Sequence, residues 1–286
     1  MRTEAAQEFT AAYRAVLARW PAGTTTGTVD TPYGSTHVTS CGPEGAPPLL
    51  LFPGGGASAM DWLGCAPALA RTHRVHAPDL VGEPGLSLPA ANRPVRSVTD
   101  LATWWEAVRT GLGIGPEEPV DLAGHSYGAW IALSCALRAP GRVRRLALLD
   151  PTGCFGRFRA RYLLRALPVL LAPSPARTRR FRAWESGGAA ADPDWLRLQE
   201  RAADFPTVRP VTGPRPDRAA LAALRVPVLA LFAERSGCHD ARRTAAAATA
   251  ALPHARVRLL PGATHHGLPF TAPTPTTTHL TDFFTA

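Results

Sequence analysis

The sequence predicts an α/β fold in which a mostly parallel sheet of eight strands is flanked by helices. Short apolar runs, such as 49–52 and 144–149, alternate with helical segments along the 286-residue chain. This alternation is typical of βαβ units, whose buried strands read as continuous apolar runs. Residues 151–222 interrupt it, since they are rich in arginine and proline and read mainly as helical pieces. We therefore expect a core of residues 1–150 and 223–286, with a helical cap (151–222) inserted after the sixth strand.

Local patterns predict each element in chain order. Apolar side chains at helical spacing indicate an N-terminal helix, and Ser58 and Asp240 are suitable N-caps. Strands are predicted at 27–31, 35–41, 49–52, 74–77, 144–149, 227–232 and 256–260, besides one that begins at Val120. Helices are predicted at 3–20, from Ser58 past Trp62, and at 97–112, 129–138, 240–252 and 275–285.

The charge of the chain suggests an acidic partner but does not require one. The formal charge is +9 and the pI is near 10.3. All 31 basic residues are arginine, however, and GC-rich coding explains this as well as selection for a polyanion does. No nucleic-acid-binding motif accompanies the charge, so we expect no nucleic-acid partner.

Cysteine usage and hydropathy predict a cytoplasmic protein. The five cysteines are scattered and contain no C-x-x-C pair, which argues against a disulfide framework or a zinc site. The first residues carry acids instead of an apolar run, and no stretch approaches eighteen uncharged apolar residues. We expect no membrane partner, no metal and no organic cofactor.

Residues 124–128 read Gly-His-Ser-Tyr-Gly, a G-x-S-x-G pattern between a strand and a helix. A strand that turns straight into a helix forces Ser126 into a strained conformation, and the two glycines give the bend room. The N–H groups of the following helix point at negative charge that develops beside the serine. We therefore predict that Ser126 is a nucleophile.

The order of these elements resembles the α/β-hydrolase family over nearly the whole chain. Residues 51–62 resemble its oxyanion loop, H-G-x-x-x-S-x-x-x-W, and residues 77–87 resemble its D-x-x-G-x-G-x-S turn. Residues 260–265 resemble the loop that delivers the catalytic histidine. The resemblance implies an α/β-hydrolase fold and, because Ser126 is not an aspartate, argues against a dehalogenase or an epoxide hydrolase.

The resemblance also implies a base and an oxyanion hole. His265 lies where the family places its base; His266 is the alternative, and His125 is expected to line or pack the site. The oxyanion donors are expected to be the backbone N–H groups of Tyr127 and Gly55. Gly56 is an alternative shifted by one residue. Pro53 stands where the family usually has histidine, and it lacks an N–H group.

The acid is missing from its usual place. The family carries it in the loop after the seventh strand, where this chain has Ser236. Asp150, which ends the sixth strand, is the candidate replacement, since some family members carry their acid there. The alternative interpretation of Asp150 is a strand-end residue that binds loop N–H groups. Glu234 and Asp240 are further candidates for the acid.

The predicted function is a serine hydrolase that cleaves a small-molecule ester or thioester through an acyl-enzyme. The rivals are a non-hydrolytic enzyme of the same fold (acyl transfer, cyclisation or lyase chemistry) in a bacterial small-molecule pathway, and a binding protein with low turnover. In the cap, Arg157, Arg161 and Arg165 lie opposite an apolar stripe. That basic stripe is either a solvated surface or a docking surface for an acidic substrate or an acyl carrier protein.

Overall fold

One mixed sheet forms the centre of the structure, a computed structural model that describes residues 2–188, 191–205, 210–271 and 274–286. Its strands over those residues are β1 (Thr25–Thr31), β2 (Gly34–Cys41), β3 (Pro48–Phe52), β4 (Arg74–Pro78), β5 (Leu88–Pro89), β6 (Val120–His125), β7 (Val143–Leu149), β8 (Val228–Ala233) and β9 (Arg256–Leu260). The order is β1-β2-β4-β3-β6-β7-β8-β9, and β5 pairs with the start of β2. Pairs that involve β2 are antiparallel, and the others are parallel. The predicted mostly parallel sheet is confirmed, with the two-residue β5 as an additional ninth strand.

Helices cover both faces of this sheet. They are α1 (Arg2–Leu17), α2 (Ala66–Leu69), α3 (Val98–Gly111), α4 (Tyr127–Arg138), α5 (Ala160–Leu171), α6 (Pro175–Glu185), α7 (Pro193–Ala202), α8 (Arg218–Ala223), α9 (Ala241–Ala251), α10 (Gly267–Phe270) and α11 (Thr274–Thr285), with 3₁₀ helices at Ala59–Gly64 and Pro140–Arg142. Leu49 and Leu51 of β3 join a core with α1, α2, α10 and α11, whereas Leu50 and Phe52 join one with α3 and α4. Both faces of β3 are therefore buried, as a central parallel strand requires. No helix among the described residues is both long and apolar enough to cross a membrane.

The helix predicted to start at Ser58 begins differently from the expectation. Ser58 occupies the cap position of the 3₁₀ helix, but its side chain makes no capping hydrogen bond. The N–H of Ala59 instead donates to the buried carboxylate of Asp79 at 2.8 Å. Asp240 does cap α9, since its side chain accepts from the N–H of Arg243. Asp79 therefore ties the loop after β3 to the loop after β4.

The register of the parallel strands aligns the ends of β6, β7 and β8. His125 lies opposite Leu149, and Leu149 lies opposite Leu231. Beyond these pairs, the N–H of Ser126 donates to Leu149 at 2.9 Å, and that of Asp150 donates to Leu231 at 2.7 Å. The carboxyl ends of parallel strands are where ligands bind in such sheets. Ser126 and Asp150 thus lie side by side at that edge.

The described part of the chain between β7 and β8 is mainly helical. It holds α5 to α8, the last of which ends at Ala223. Helices α5 and α6 pack through the rings of Tyr162, Phe181 and Trp184. The segment around α7 packs on α1, where the rings of Phe9 and Phe205 lie 5.0 Å apart.

Candidate active site

Ser126 lies in a strained turn between β6 and α4. Its φ is +52°, and among the described non-glycine residues only Asp150, at +41°, also has a positive φ. A Cβ at Gly124 would lie 2.3 Å from the carbonyl oxygen of Gly128, and one at Gly128 would lie 2.3 Å from those of Phe52 and Pro53. Such contacts are too short for any side chain, so both glycines are required for this close packing. Strained residues that surrounding structure holds in place are common at functional sites.

Asp150 contacts His265 directly. Its Oδ2 lies 2.6 Å from His265 Nδ1, and both side chains are almost completely buried. The same oxygen accepts from the Ser236 hydroxyl at 2.7 Å. Asp150 Oδ1 accepts from the N–H of Ala233 at 3.1 Å and from His239 Nε2 at 2.9 Å. The carboxylate is thus held by four groups, one of which is the predicted base.

The other two candidate acids have different partners. Glu234 binds the Arg242 guanidinium and accepts from the N–H of Gly262. Asp240 is exposed and caps α9. Ser236, the residue at the usual acid position, donates to Asp150. The structure therefore brings Asp150, and neither of the alternatives, to His265.

His239 was not singled out from the sequence. It follows Ser236 by three residues in the loop after β8, and its buried ring contacts the oxygen of Asp150 that His265 does not use. The available signal was its position in the loop where the family usually carries its acid. A lone histidine in a loop gave no indication of a partner on another strand.

Opposing influences set the charges of Asp150 and His265. Burial opposes ionisation of Asp150, but the hydrogen bond and charge of His265 outweigh it and lower the pKa of the carboxyl group. Burial also opposes protonation of His265, but Cys238 and Asp150 together hold the pKa of His265 well above its usual value. The pair is thus built to carry an imidazolium beside a carboxylate.

The hydroxyl of Ser126 has a different partner from the predicted base. Its Oγ lies 3.3 Å from Thr152 Oγ1, and among the described residues this is its only hydrogen-bond partner. Thr152 lies two residues beyond Asp150, in a loop that the sequence analysis did not single out. Catalytic hydrogen bonds are often long in the absence of substrate and tighten only in the complex.

The two neighbouring histidines have partners of their own. His125 Nε2 donates to the backbone carbonyl of His265 at 3.0 Å, so its buried ring holds the base loop in place. Burial holds the pKa of His125 well below its usual value, which keeps this ring neutral. His266 lies 2.8 Å from the buried carboxylate of Glu185 in α6 and contacts the Arg182 guanidinium. His266 therefore connects the base loop to α6.

The loop after β3 distinguishes the two possible oxyanion donors. The N–H of Gly56 donates to the carboxylate of Glu83 at 2.7 Å, so it is already engaged. A Cβ at Gly55 would lie 3.5 Å from Cβ of Tyr127, which places Gly55 against the start of α4. Burial raises the pKa of Glu83 to about 7, although the hydrogen bond from Gly56 opposes that shift. Gly55 is thus better placed than Gly56 to act with Tyr127.

A shallow, half-open pocket lies beside Tyr127. Its walls are mainly apolar and include Trp104, Ile131 and Val211, with Glu83 as the one acidic side chain. Small-molecule sites of enzymes commonly combine such apolar walls with a few placed polar groups. The pocket therefore adjoins Tyr127, the residue that follows the predicted nucleophile.

Three imidazoles are close enough to be considered as metal ligands. One nitrogen each from His125, His265 and His266 lies within 4.8 Å of the others. Asp150 already occupies Nδ1 of His265, and the positive charge of Arg182 against His266 opposes a bound cation. The cluster therefore suits hydrogen bonding within the site better than a metal.

Comparison with known proteins agrees with this fold. The chain matches the family model described as "Alpha/beta hydrolase family" over residues 49–277. Carboxylesterase YbfK of Bacillus subtilis (strain 168) is 34% identical over 152 residues, which are 53% of this chain and 50% of that protein. The sequence match thus spans about half the length of this relative.

Two solved structures extend the likeness to nearly the whole chain. Carboxylesterase CesB (YbfK) from Bacillus subtilis has a TM-score of 0.90 at 25% identity and covers 98% of both chains. Naproxen esterase (carboxylesterase NP) from Bacillus subtilis has a TM-score of 0.88 at 24% identity and covers 97% of both. With the family model matching most of its length, this chain belongs to the alpha/beta hydrolase family.

Proposed function

We propose that the protein is a serine hydrolase that cleaves a carboxylic ester of a small molecule through an acyl-enzyme. The observation that carries the proposal is the buried 2.6 Å contact between Asp150 and His265, beside the strained Ser126. The similarity to proteins named carboxylesterases supports an ester as the substrate.

In the proposed first step, Ser126 Oγ attacks the ester carbonyl while His265 takes the hydroxyl proton. A serine hydroxyl is a weak nucleophile unless an adjacent base activates it. Asp150 holds the ring through Nδ1 and stabilises the imidazolium that forms. The backbone N–H groups of Tyr127 and Gly55 bind the oxyanion of the tetrahedral intermediate.

Attack requires the Ser126 hydroxyl to exchange its partner. In the resting site it contacts Thr152, so the side chain must rotate away from Thr152 and towards His265. His265 then gives its proton to the departing alcohol, which leaves the acyl group on Ser126. A water molecule that His265 deprotonates hydrolyses this acyl-enzyme, releases the acid and restores the serine.

We further propose that residues 151–222 form a cap over this site and that residues 1–150 and 223–286 form the core. Support comes from both ends of the segment: Thr152 contacts Ser126, and Glu185 contacts His266. A cytoplasmic location is part of the same proposal, and the five cysteines, all free and buried, support it.

Hydrolysis is favoured over the non-hydrolytic and binding alternatives. Those rivals were suggested by a serine at the usual acid position. Ser236 donates to Asp150, and Asp150 reaches His265, so a carboxylate stands behind the base from another strand. A deficient acid is therefore no longer a reason to expect a different reaction.

The test is turnover of p-nitrophenyl esters of increasing acyl length by the purified protein. We expect saturable hydrolysis that Ser126→Ala abolishes and that the control Ser134→Ala, in the following helix α4, preserves. Undiminished turnover in Ser126→Ala would exclude the proposed nucleophile. Wild-type protein that turns over none of the esters would exclude the proposed activity.

A thioester on an acyl carrier protein is the second candidate substrate. Arg157, Arg177 and Arg180 of the proposed cap are exposed and, within the described chain, have no acidic side chain within 4.0 Å. If they dock an acidic carrier, a carrier-bound thioester should be hydrolysed faster than the free one at low salt, and added salt should remove the difference. Equal rates that do not depend on salt would exclude this candidate.

A further inference from the structure

Helix α5 presents an apolar face to solvent. Leu164, Leu170 and Leu171 are 70%, 72% and 75% exposed, and Leu163 and Leu167 are also exposed. Phe158, just before the helix, is also exposed, and its ring stacks on that of Tyr162. Elsewhere in the described chain Leu88 is the only large apolar side chain exposed to this degree. Contiguous exposed apolar surface of this kind marks interaction sites.

The orientation of α5 is opposite to that of an ordinary surface helix. At 3.6 residues per turn, its five leucines share an arc of about 120°. Ala166 is buried, and Tyr162 and Val169 are half-buried, on the other side of the helix. The helix thus buries only a narrow apolar strip and exposes its five leucines. Exposing so many large apolar side chains to water is unfavourable unless something covers them.

The segment that carries this leucine face is rich in positive charge, although Arg161 and Arg165 lie on the opposite side of α5, over the Trp184 ring. Between Asp150 and Glu185 the chain has eight arginines and no acidic residue. Three of them have an acidic partner: Arg159, Arg179 and Arg182. The rest have none within 4.0 Å among the described residues, and these are Arg157, Arg161, Arg165, Arg177 and Arg180.

Contrary to the expectation of no membrane partner, we propose that the leucine face of α5 docks on the surface of an anionic lipid membrane or micelle. Interfacial helices combine a leucine-rich face, which enters the acyl region, with basic residues that contact anionic headgroups. A second copy of the chain is a poorer occupant, because pairing two such faces would bring two acid-free arginine clusters together. An acidic protein would pair with the arginines but would offer no acyl region for five leucines.

Docking there would place lipid near the proposed active site. The inward Tyr162 lies against Cys238, and Cys238 in turn lies against His265. This consequence rests on the proposed ester hydrolysis, whereas the docking itself does not.

The test is co-sedimentation of the purified protein with vesicles of phosphatidylcholine alone or mixed with phosphatidylglycerol. We expect binding to the anionic vesicles that weakens with salt and falls about tenfold or more in Leu164→Glu/Leu170→Glu, since each change removes a buried leucine. Leu88→Glu is the matched control, at an exposed leucine on β5, and should bind like wild type.

Three outcomes would overturn the docking proposal. The first is no binding of wild type to anionic vesicles. The second is equal binding by the double variant and wild type. The third is light scattering that shows a dimer for wild type and a monomer for the double variant. Turnover of a water-soluble ester is measured in parallel and should be unchanged by Leu164→Glu/Leu170→Glu. If wild type binds vesicles but cleaves no ester, the docking proposal stands and the proposed function fails.

Discussion

Replacing Asp150 by asparagine removes one negative charge from the buried site and preserves the shape of the side chain. The amide oxygen can still accept from Ala233 and His239, as Oδ1 of Asp150 does. The amide NH₂ group would then face His265 Nδ1, where a carboxylate oxygen now lies at 2.6 Å. Since an NH₂ group only donates, Nδ1 would have to accept, and the ring proton would move to Nε2. That tautomer cannot take the proton of Ser126.

We expect a large fall in kcat because the variant loses two things at once: the negative charge behind His265, and the ring tautomer that can accept the proton of Ser126. The corresponding change in a serine-histidine-aspartate triad lowers kcat by about 10⁴. At 1.36 kcal/mol for each tenfold change, this corresponds to roughly 5.4 kcal/mol of transition-state stabilisation. The pKa of His265 should fall at the same time, because Asp150 is one of the groups that raise it.

The assay is steady-state hydrolysis of a p-nitrophenyl ester, with thermal unfolding as a check on folding. Asp240→Asn and Glu234→Gln are matched controls at the other candidate acids, and both should leave kcat unchanged. A folded Asp150→Asn protein with kcat close to that of wild type would refute the reasoning.

Three further predictions follow from the same contacts. Ser236→Ala and His239→Ala should each lower kcat about 10–100-fold, because each removes a hydrogen bond to a buried charge; an unchanged kcat would show that Asp150 needs neither. Gly128→Ala should lower the free energy of unfolding by about 1–3 kcal/mol or more through overpacking, whereas Gly141→Ala, which has open space around it, should be nearly neutral in chemical denaturation. Finally, kcat/KM should rise with pH and reach half its maximum above the usual histidine pKa. The reason is that the raised pKa of His265 keeps the base protonated, and therefore inactive, at lower pH. A midpoint at about pH 6.5 or below would contradict this.

Local patterns accounted for most of the fold. The strands around Leu50, Leu148 and Leu231 are fully buried apolar runs, and the sequence shows such runs directly. The bend at Ser126 was predictable because Gly124 and Gly128 are spaced as a tight strand-to-helix turn requires. β5 was missed, since Leu88-Pro89 is too short to form a pattern and pairs only through its contact with β2.

The candidate site was only partly predictable, because its contacts join distant strands. Asp150 was proposed from its strand end, but its choice over Glu234 depends on the alignment of β6, β7 and β8. Thr152 has no local signal and His239 has only its place in the loop after β8, and their partners lie 26 and 89 residues away. The periodicity of α5 was visible in the sequence, yet the direction of its apolar face depends on how Tyr162 packs on α6.

Covalent labelling tests the central claim most directly. The purified protein is treated with a fluorophosphonate, and the modified peptide is identified by mass spectrometry. A serine activated by His265 and Asp150 should give one phosphonyl adduct on Ser126, absent in Ser126→Ala and formed far more slowly in His265→Gln. An adduct on another residue, or ester turnover by protein that never labels at Ser126, would contradict the account.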